Sequence, residues 1–81
     1  MTEKRKPYAT AKHGDTIFGQ RLKAERMRRG FQVQVFADMV GTHASQITGY
    51  ENRNVLPRID VLVSIAKLLE CSTDWLLGLE D

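Results

Sequence analysis

Apolar residues recur every three to four positions along most of the chain, a spacing that predicts α-helices separated by short polar turns. The clearest stripe places Leu62, Ile65, Ala66 and Leu69 at positions i, i+3, i+4 and i+7. These residues share one face of a helix, which we expect to run from about Ile59 to Leu69. No segment alternates apolar and polar residues as a half-buried strand does, so the pattern predicts an all-α fold.

Capping and turn residues divide this pattern into five helices. Thr16 or Asp15 can cap the first helix, which runs to about Arg29 with Phe18, Leu22 and Met27 facing inward. The next helices cover about 33–40 and 44–52, and the fourth follows Pro57. Ser72 caps a short fifth helix with Asp74 in its first turn, and we expect its apolar residues to pack inward: Trp75, Leu76 and Leu79.

The length and composition indicate one small domain. The chain has 81 residues and one cysteine, Cys71, which cannot form an internal disulfide and is expected to fill the core. Its apolar runs are too short to span a membrane, and the charged start has no apolar segment behind it. We therefore expect a cytoplasmic protein without a secretory leader.

Charge is distributed unevenly along the chain, although the net charge is only +2. Residues 17–29 hold five basic residues and one acidic residue, whereas residues 59–81 hold one basic and five acidic residues. Residues 1–16 are basic and lack periodicity, so we interpret them as a flexible arm ahead of a folded domain over 17–81. Such asymmetry suits a protein that presents one face to a polyanion, although a solvated basic helix has the same composition.

The segment 33–52 has a spacing that indicates a tight turn between two helices. Small Ala37 allows the second and third helices to approach closely, and Gly41 suits a turn with positive φ. Ile47 then anchors the third helix against the second. The remaining surface of the third helix is free to enter a DNA major groove about 12 Å wide.

The chain from Phe18 to Gly78 resembles the helix-turn-helix family of lambdoid phage repressors, Cro proteins and related bacterial regulators of the XRE type. The resemblance is carried by several pieces in order: FGQRLKAER, the Gly30-Phe31 junction, FADMVGTHASQITGYEN, Pro57, LVSIAKLLECS and STDWLLG. It implies a compact five-helix bundle like lambda repressor, with helices 2 and 3 forming the helix-turn-helix.

The resemblance also implies which residues contact DNA. Base-reading positions fall near the start of the third helix and one turn later, at Ala44, Ser45, Gln46, Thr48 and Gly49. Phosphate-binding positions fall at the start of the second helix, before the third and after it, at Gln32, Gln34, His43, Asn52, Arg53 and Asn54. For Gln46 and Thr48, keeping the helix soluble is an equal alternative.

Val33 departs from the family pattern, which usually has a glutamine there that binds phosphate. Because the third helix also has few long polar side chains, we expect DNA shape to carry much of the specificity. Arg26 and Glu51 occupy positions that form a buried ion pair in some phage repressors, and the same pair is expected here, with two independent surface charges as the alternative. Four apolar residues are candidates for dimer contacts, with packing in the core or the loop as the more common alternative for each: Val55, Leu56, Trp75 and Leu79.

The resemblance implies a sequence-specific regulator of transcription that binds double-stranded operator DNA as a homodimer, as a phage or prophage repressor does. The open alternative is a protein-binding module such as an antitoxin. An enzyme is not expected, because the sequence shows no paired carboxylates, no nucleophile with a base and no phosphate loop. Nor does any motif indicate a cofactor, a metal site or a small-molecule substrate.

Overall fold

Five α-helices make up the computed structural model, which describes residues 17–80. The helices are α1 (Ile17–Arg28), α2 (Val33–Val40), α3 (Ala44–Asn52), α4 (Ile59–Leu69) and α5 (Thr73–Leu76). Over this range the structure has no strand, and the all-α prediction with five helices is confirmed. The interpretation of 1–16 as an arm, and the proposed caps Asp15 and Thr16, lie outside the described residues.

One apolar core joins all five helices. Its largest fully buried side chains are those of Leu22, Phe36, Ile47, Ile65, Leu69 and Leu76. Burying one such side chain is worth about 1.5–3 kcal/mol, so the core supplies most of the stabilisation available to so small a domain. The stripe on α4 is buried as predicted. No helix between residues 17 and 80 is long and apolar enough to cross a membrane.

On α1, the prediction that Met27 faces inward is wrong. Phe18, Leu22 and Arg26 form the buried row, while 60% of Met27 is exposed. Residues four apart stay on one helix face, and Met27 lies one position beyond that row. The charged Arg26 therefore continues the buried row, although the apolar Met27 is its neighbour in the sequence.

The turn between α2 and α3 has the tight geometry predicted from Gly41. Gly41 adopts a left-handed conformation (φ 83°), and the N–H of Thr42 donates to the carbonyl of Ala37 over 2.9 Å. Ala37 is fully buried, which lets the two helices approach closely. This turn sets the direction in which α3 leaves α2.

The C-terminal helix is attached to α1 through Arg21 and Trp75. The Arg21 guanidinium lies 4.6 Å from the centre of the Trp75 ring and donates to the carbonyl of Glu80 over 2.9 Å. Ser72 caps α5 as predicted, accepting the N–H of Trp75 over 3.0 Å. Leu79 does not pack inward, since 55% of it is exposed after the turn at Gly78 (φ 84°).

Arg26 and Glu51 form a buried two-pronged ion pair between α1 and α3. Nε and Nη2 of Arg26 donate to the two carboxylate oxygens of Glu51 over 2.8 and 3.2 Å. Nη1 of Arg26 donates to the carbonyl of Phe31 over 2.7 Å. One guanidinium thus fixes α1, the loop before α2 and the end of α3 relative to each other.

Replacing Gly41 with valine is expected to lower the free energy of unfolding by about 1–3 kcal/mol. No atom lies within 4 Å of a Cβ at this position, so the whole cost comes from backbone strain at positive φ. Gly41→Asn is the control and should lose less, because asparagine tolerates this conformation. Urea denaturation measures both. Equal stability of Gly41→Val and the wild type would contradict the argument.

Glu51→Ala is expected to lower the free energy of unfolding by about 3–5 kcal/mol, because it leaves the Arg26 charge buried without its carboxylate. Glu51→Gln keeps one acceptor oxygen and should lose less. Arg28→Ala removes the exposed pair with Glu25 and should change stability little. A similar effect of Glu51→Ala and Arg28→Ala on urea denaturation would show that the buried pair has no special role.

Candidate nucleic-acid interface

Helix α3 has one face in the core and one face in solvent. Ile47 and Tyr50 turn inward, and Tyr50 lies 6.2 Å from Phe18 between ring centres. Ser45, Gln46 and Asn52 are exposed on the other side, with Ala44 half-buried at the start. The helix is held by its apolar side while short polar groups face outward, which is the arrangement that a groove-binding helix requires.

The expected base-reading residues differ in how they are placed. Ser45 and Gln46 are exposed with side chains available to a ligand. Thr48 is half-buried, and its hydroxyl donates to the carbonyl of Ala44 over 3.1 Å, a bond within its own helix. Thr48 therefore has its donor already engaged, whereas Ser45 and Gln46 keep their hydrogen-bonding capacity.

Gly49 does not lie at the surface as expected, because it is buried. A Cβ at this position would stand 3.0 Å from Nη2 of Arg53 and 3.2 Å from Cγ2 of Val55. Both neighbours come from the segment that follows α3. The absence of a side chain at Gly49 therefore makes room for residues that are later in the chain, and the base contact expected of Gly49 remains a prediction.

Arg53 folds back over the helix that precedes it. Its backbone N–H ends α3 by donating to the carbonyl of Gly49 over 2.9 Å, and Nη2 donates to the carbonyl of Ser45 over 3.4 Å. Asn54 follows with positive φ (63°) and a buried Oδ1, so it shapes the loop. The phosphate contacts expected of Asn52, Arg53 and Asn54 remain predictions.

The start of α2 presents polar groups beside the turn. Gln32 occupies the N-cap position with its side chain exposed, and that side chain makes no capping hydrogen bond. Gln34 donates to Asp38 over 3.1 Å along the helix surface. The first backbone N–H groups of a helix have no partner within it, so this end can accept an anion. Val33 packs against the core, which explains an apolar residue there.

A cleft of about 340 Å³ separates the α2–α3 turn from the loop before α4. Its walls include His43, Gln46, Leu56 and Arg58. His43 stands at the N-cap position of α3 without a capping hydrogen bond from its side chain. Sequence reasoning missed Arg58, whose only signal was a basic residue next to Pro57. Arg58 pairs with Asp60 at 3.0 Å and thereby lowers the pKa of that carboxyl.

Most basic residues of α1 and its end are paired with groups inside the molecule. Besides Arg21 and Arg26, whose contacts are described above, Arg28 pairs with Glu25 at 2.9 Å and lowers the pKa of that carboxyl. Arg29 lies 3.6 Å from Glu70 and 3.7 Å from Glu25. Four of the five basic residues of this run therefore have partners inside the molecule, which the charge count of the segment does not show.

Two further chemical features lie outside this interface. Cys71 is partly buried against the core, and burial raises the pKa of its thiol. This favours the uncharged form of a side chain that fills space. No group of three His, Cys, Asp or Glu side chains within residues 17–80 could hold a metal ion.

An exposed apolar patch borders the interface at the end of the α3–α4 loop. It comprises Leu56 (65% exposed) and Ile59 (74% exposed), with the less exposed Val55 and Val63 nearby in the chain. Ile59 begins α4 but lies off its buried stripe. Leu56 and Ile59 lie three positions apart, and exposed apolar side chains grouped in this way are candidates for a protein contact. Of the other expected dimer residues, Trp75 is half-buried and Leu79 is exposed.

Known proteins with a similar sequence are transcriptional regulators. A 65-residue stretch is 34% identical to an uncharacterized helix-turn-helix transcriptional regulator, YobD, of Bacillus subtilis, and covers 80% of this chain and 58% of YobD. A 61-residue stretch is 34% identical to the SPbeta prophage-derived regulator YonR of the same organism, over 75% of this chain and 56% of YonR. The chain thus spans just over half the length of these curated relatives.

A solved structure and a family model agree with these relatives. The fold is similar to that of the P22 c2 repressor, solved in complex with a synthetic operator, with a TM-score of 0.75 and 27% identity. The match covers 82% of this chain and all of that one. The family model described as helix-turn-helix matches residues 22–76. As its sequence pattern and its α2–α3 geometry indicate, the chain belongs to the helix-turn-helix family.

Proposed function

We propose that the chain binds double-stranded DNA in a sequence-specific manner and regulates transcription as a repressor, with α3 in the major groove. The observation that carries the proposal is the two-sided structure of α3. Ile47 and Tyr50 fix the helix to the core, while Ser45 projects from the opposite face and Gln46 is exposed on the flank. Because α3 is anchored by one side only, its exposed face can approach base edges.

The chemistry of this face suits base edges and phosphates. A serine hydroxyl donates or accepts a hydrogen bond, and a glutamine amide can contact adenine through both of its polar atoms. The methyl group of Ala44 can contact that of thymine. The open N–H groups at the start of α2, with Gln32 exposed beside them, suit a phosphate on the DNA backbone.

The comparisons support the same function. The P22 c2 repressor, which shares the fold and 27% of aligned residues, is described in complex with an operator. YonR is a prophage-derived regulator, which agrees with a phage or prophage origin of the function. A DNA-binding regulator has no catalytic role and would act in the cytoplasm, where bacterial DNA is found. The proposal needs no cofactor.

A two-fold dimer is part of the proposal. Leu56 and Ile59 supply the apolar surface, and they lie on the chain segment that directly follows α3. Dimers of this kind bind half-sites about one DNA turn, or 34 Å, apart, so the operator should have two-fold symmetry.

Selection of bound duplexes from a random DNA pool is expected to enrich one two-fold symmetric sequence. Titration of that duplex at two salt concentrations should show an affinity that falls with salt but stays above the affinity for random DNA. A pool without enrichment would overturn the DNA-binding proposal and favour the protein-binding alternative, which copurification with a partner chain would then test.

Ser45→Ala and Gln46→Ala are expected to change base preference more than overall affinity. Loss of a good side-chain contact to a base should reduce discrimination by about 1–3 kcal/mol at its position. Lys23→Ala serves as a control, since Lys23 is exposed on α1. The readout is a panel of single-base operator variants. If both α3 substitutions leave every base preference unchanged, the placement of α3 in the groove is wrong.

Ile59→Asp is expected to weaken self-association and operator binding, while binding to an isolated half-site remains. A charge at the centre of an apolar contact would lose favourable burial and stay unpaired. Met27→Asp introduces the same charge at a similarly exposed residue of α1 and should have no effect on association. Sedimentation velocity measures the monomer–dimer equilibrium. Equal association of both variants and wild type would remove the patch from the interface.

A further inference from the structure

The exposed surface of α3 around Ser45 and Gln46, here called the reading face, carries a long cationic side chain that does not originate from α3. Ser45 and Gly49 are four residues apart, so they lie one above the other on the same side of the helix. The guanidinium of Arg53 covers both positions. Its Nη2 donates to the carbonyl of Ser45 over 3.4 Å and lies 3.0 Å from where a Cβ of residue 49 would stand.

Gly49 is what allows this position of the guanidinium. Any larger residue would place its Cβ at 3.0 Å from Nη2 of Arg53, closer than such atoms normally approach. Val55 closes the other side, with Cγ2 at 3.2 Å from the same point. The place left free by the missing side chain on α3 is therefore filled by Arg53.

Arg53 also remains available to a ligand. Its side chain is exposed, and no carboxylate of residues 17–80 lies within ion-pair distance of it, unlike Arg26, Arg28, Arg29 and Arg58. The single long hydrogen bond to Ser45 occupies only one of its five N–H donors. Most of the guanidinium fork is free, while the bond to Ser45 holds the side chain along α3.

We propose that Arg53 is a specificity-determining residue that reads a guanine from the reading face of α3, and that Gly49 is the positioning residue that lets it do so. The inference rests on the proposed function, since it needs α3 in the major groove. An arginine fork matches the two acceptors, O6 and N7, that guanine presents there. Arg53 thus supplies the long polar side chain that α3 itself lacks at residue 49.

The alternative for Arg53 is a phosphate contact, which depends on charge and not on the base. The two roles differ in their response to Gly49→Ala. This substitution keeps the charge of Arg53 but crowds its guanidinium, which must shift by a few tenths of an ångström along α3, and alanine favours the helix. A phosphate contact should survive such a shift, because a flexible cation can still reach the backbone, whereas reading of one base should weaken.

The experiment compares wild type, Arg53→Ala, Gly49→Ala and the control Lys67→Ala on the selected operator and on its single-base variants at two salt concentrations. Lys67 is an exposed cation in the last turn of α4. We expect wild type to prefer guanine at one position of each half-site. Arg53→Ala should lose about 5- to 150-fold of that discrimination, and Gly49→Ala should lose a smaller part of it, with other positions unchanged. Lys67→Ala should keep it.

Two results would overturn the inference while leaving the proposed function intact. One is a uniform loss of affinity in Arg53→Ala with a salt slope lower by about 0.9, which marks a phosphate contact. The other is an unchanged base preference in Arg53→Ala. Thermal unfolding by circular dichroism checks that Gly49→Ala folds, and if it does not, Arg53→Ala alone decides. A wild-type chain that enriches no sequence overturns the proposed function and this inference with it.

Discussion

The buried pair of Arg26 and Glu51 is the interaction on which the position of α3 depends. A guanidinium inside a small core is stable only when its N–H groups find acceptors, and here the carboxylate of Glu51 and the carbonyl of Phe31 provide them. Such a pair adds little net stability compared with an apolar contact of the same size. Its directional bonds instead fix the relative positions of α1, the loop before α2 and the end of α3. A surface that contacts base edges requires this precision.

Two glycines then determine what α3 presents. Gly41 turns the chain between α2 and α3 through a left-handed conformation, and it does so at a position where no neighbour crowds it. Gly49 acts differently, because it contributes through the space that its missing side chain leaves and not through its backbone angles. The space at Gly49 leaves room for Arg53 to lie along the helix. The exposed polar surface is therefore formed by α3 and by the loop after it.

The charges show why composition alone misjudges a surface. The five basic residues between 17 and 29 suggest a face for a polyanion, yet four of them bind Glu25, Glu51, Glu70 or backbone carbonyls. Within residues 17–80, Arg53 is a cation of the candidate interface without a carboxylate partner, and it lies in a segment, 30–58, whose acidic and basic residues balance. What reaches a ligand is determined by the pairing of charges in the fold and not by their number along the chain.

The sequence by itself determined the five helices, the turn at Gly41, the cap at Ser72 and the apolar stripe of α4, because each depends on neighbours within a few positions. It also indicated the family and the pairing of Arg26 with Glu51, through motifs in a specific order. Only the tertiary structure decided that Met27 is exposed, that Gly49 is buried and that Arg53 points back along α3. These outcomes depend on which segments meet in space, and local periodicity carries no information about a side chain that folds back over an earlier turn.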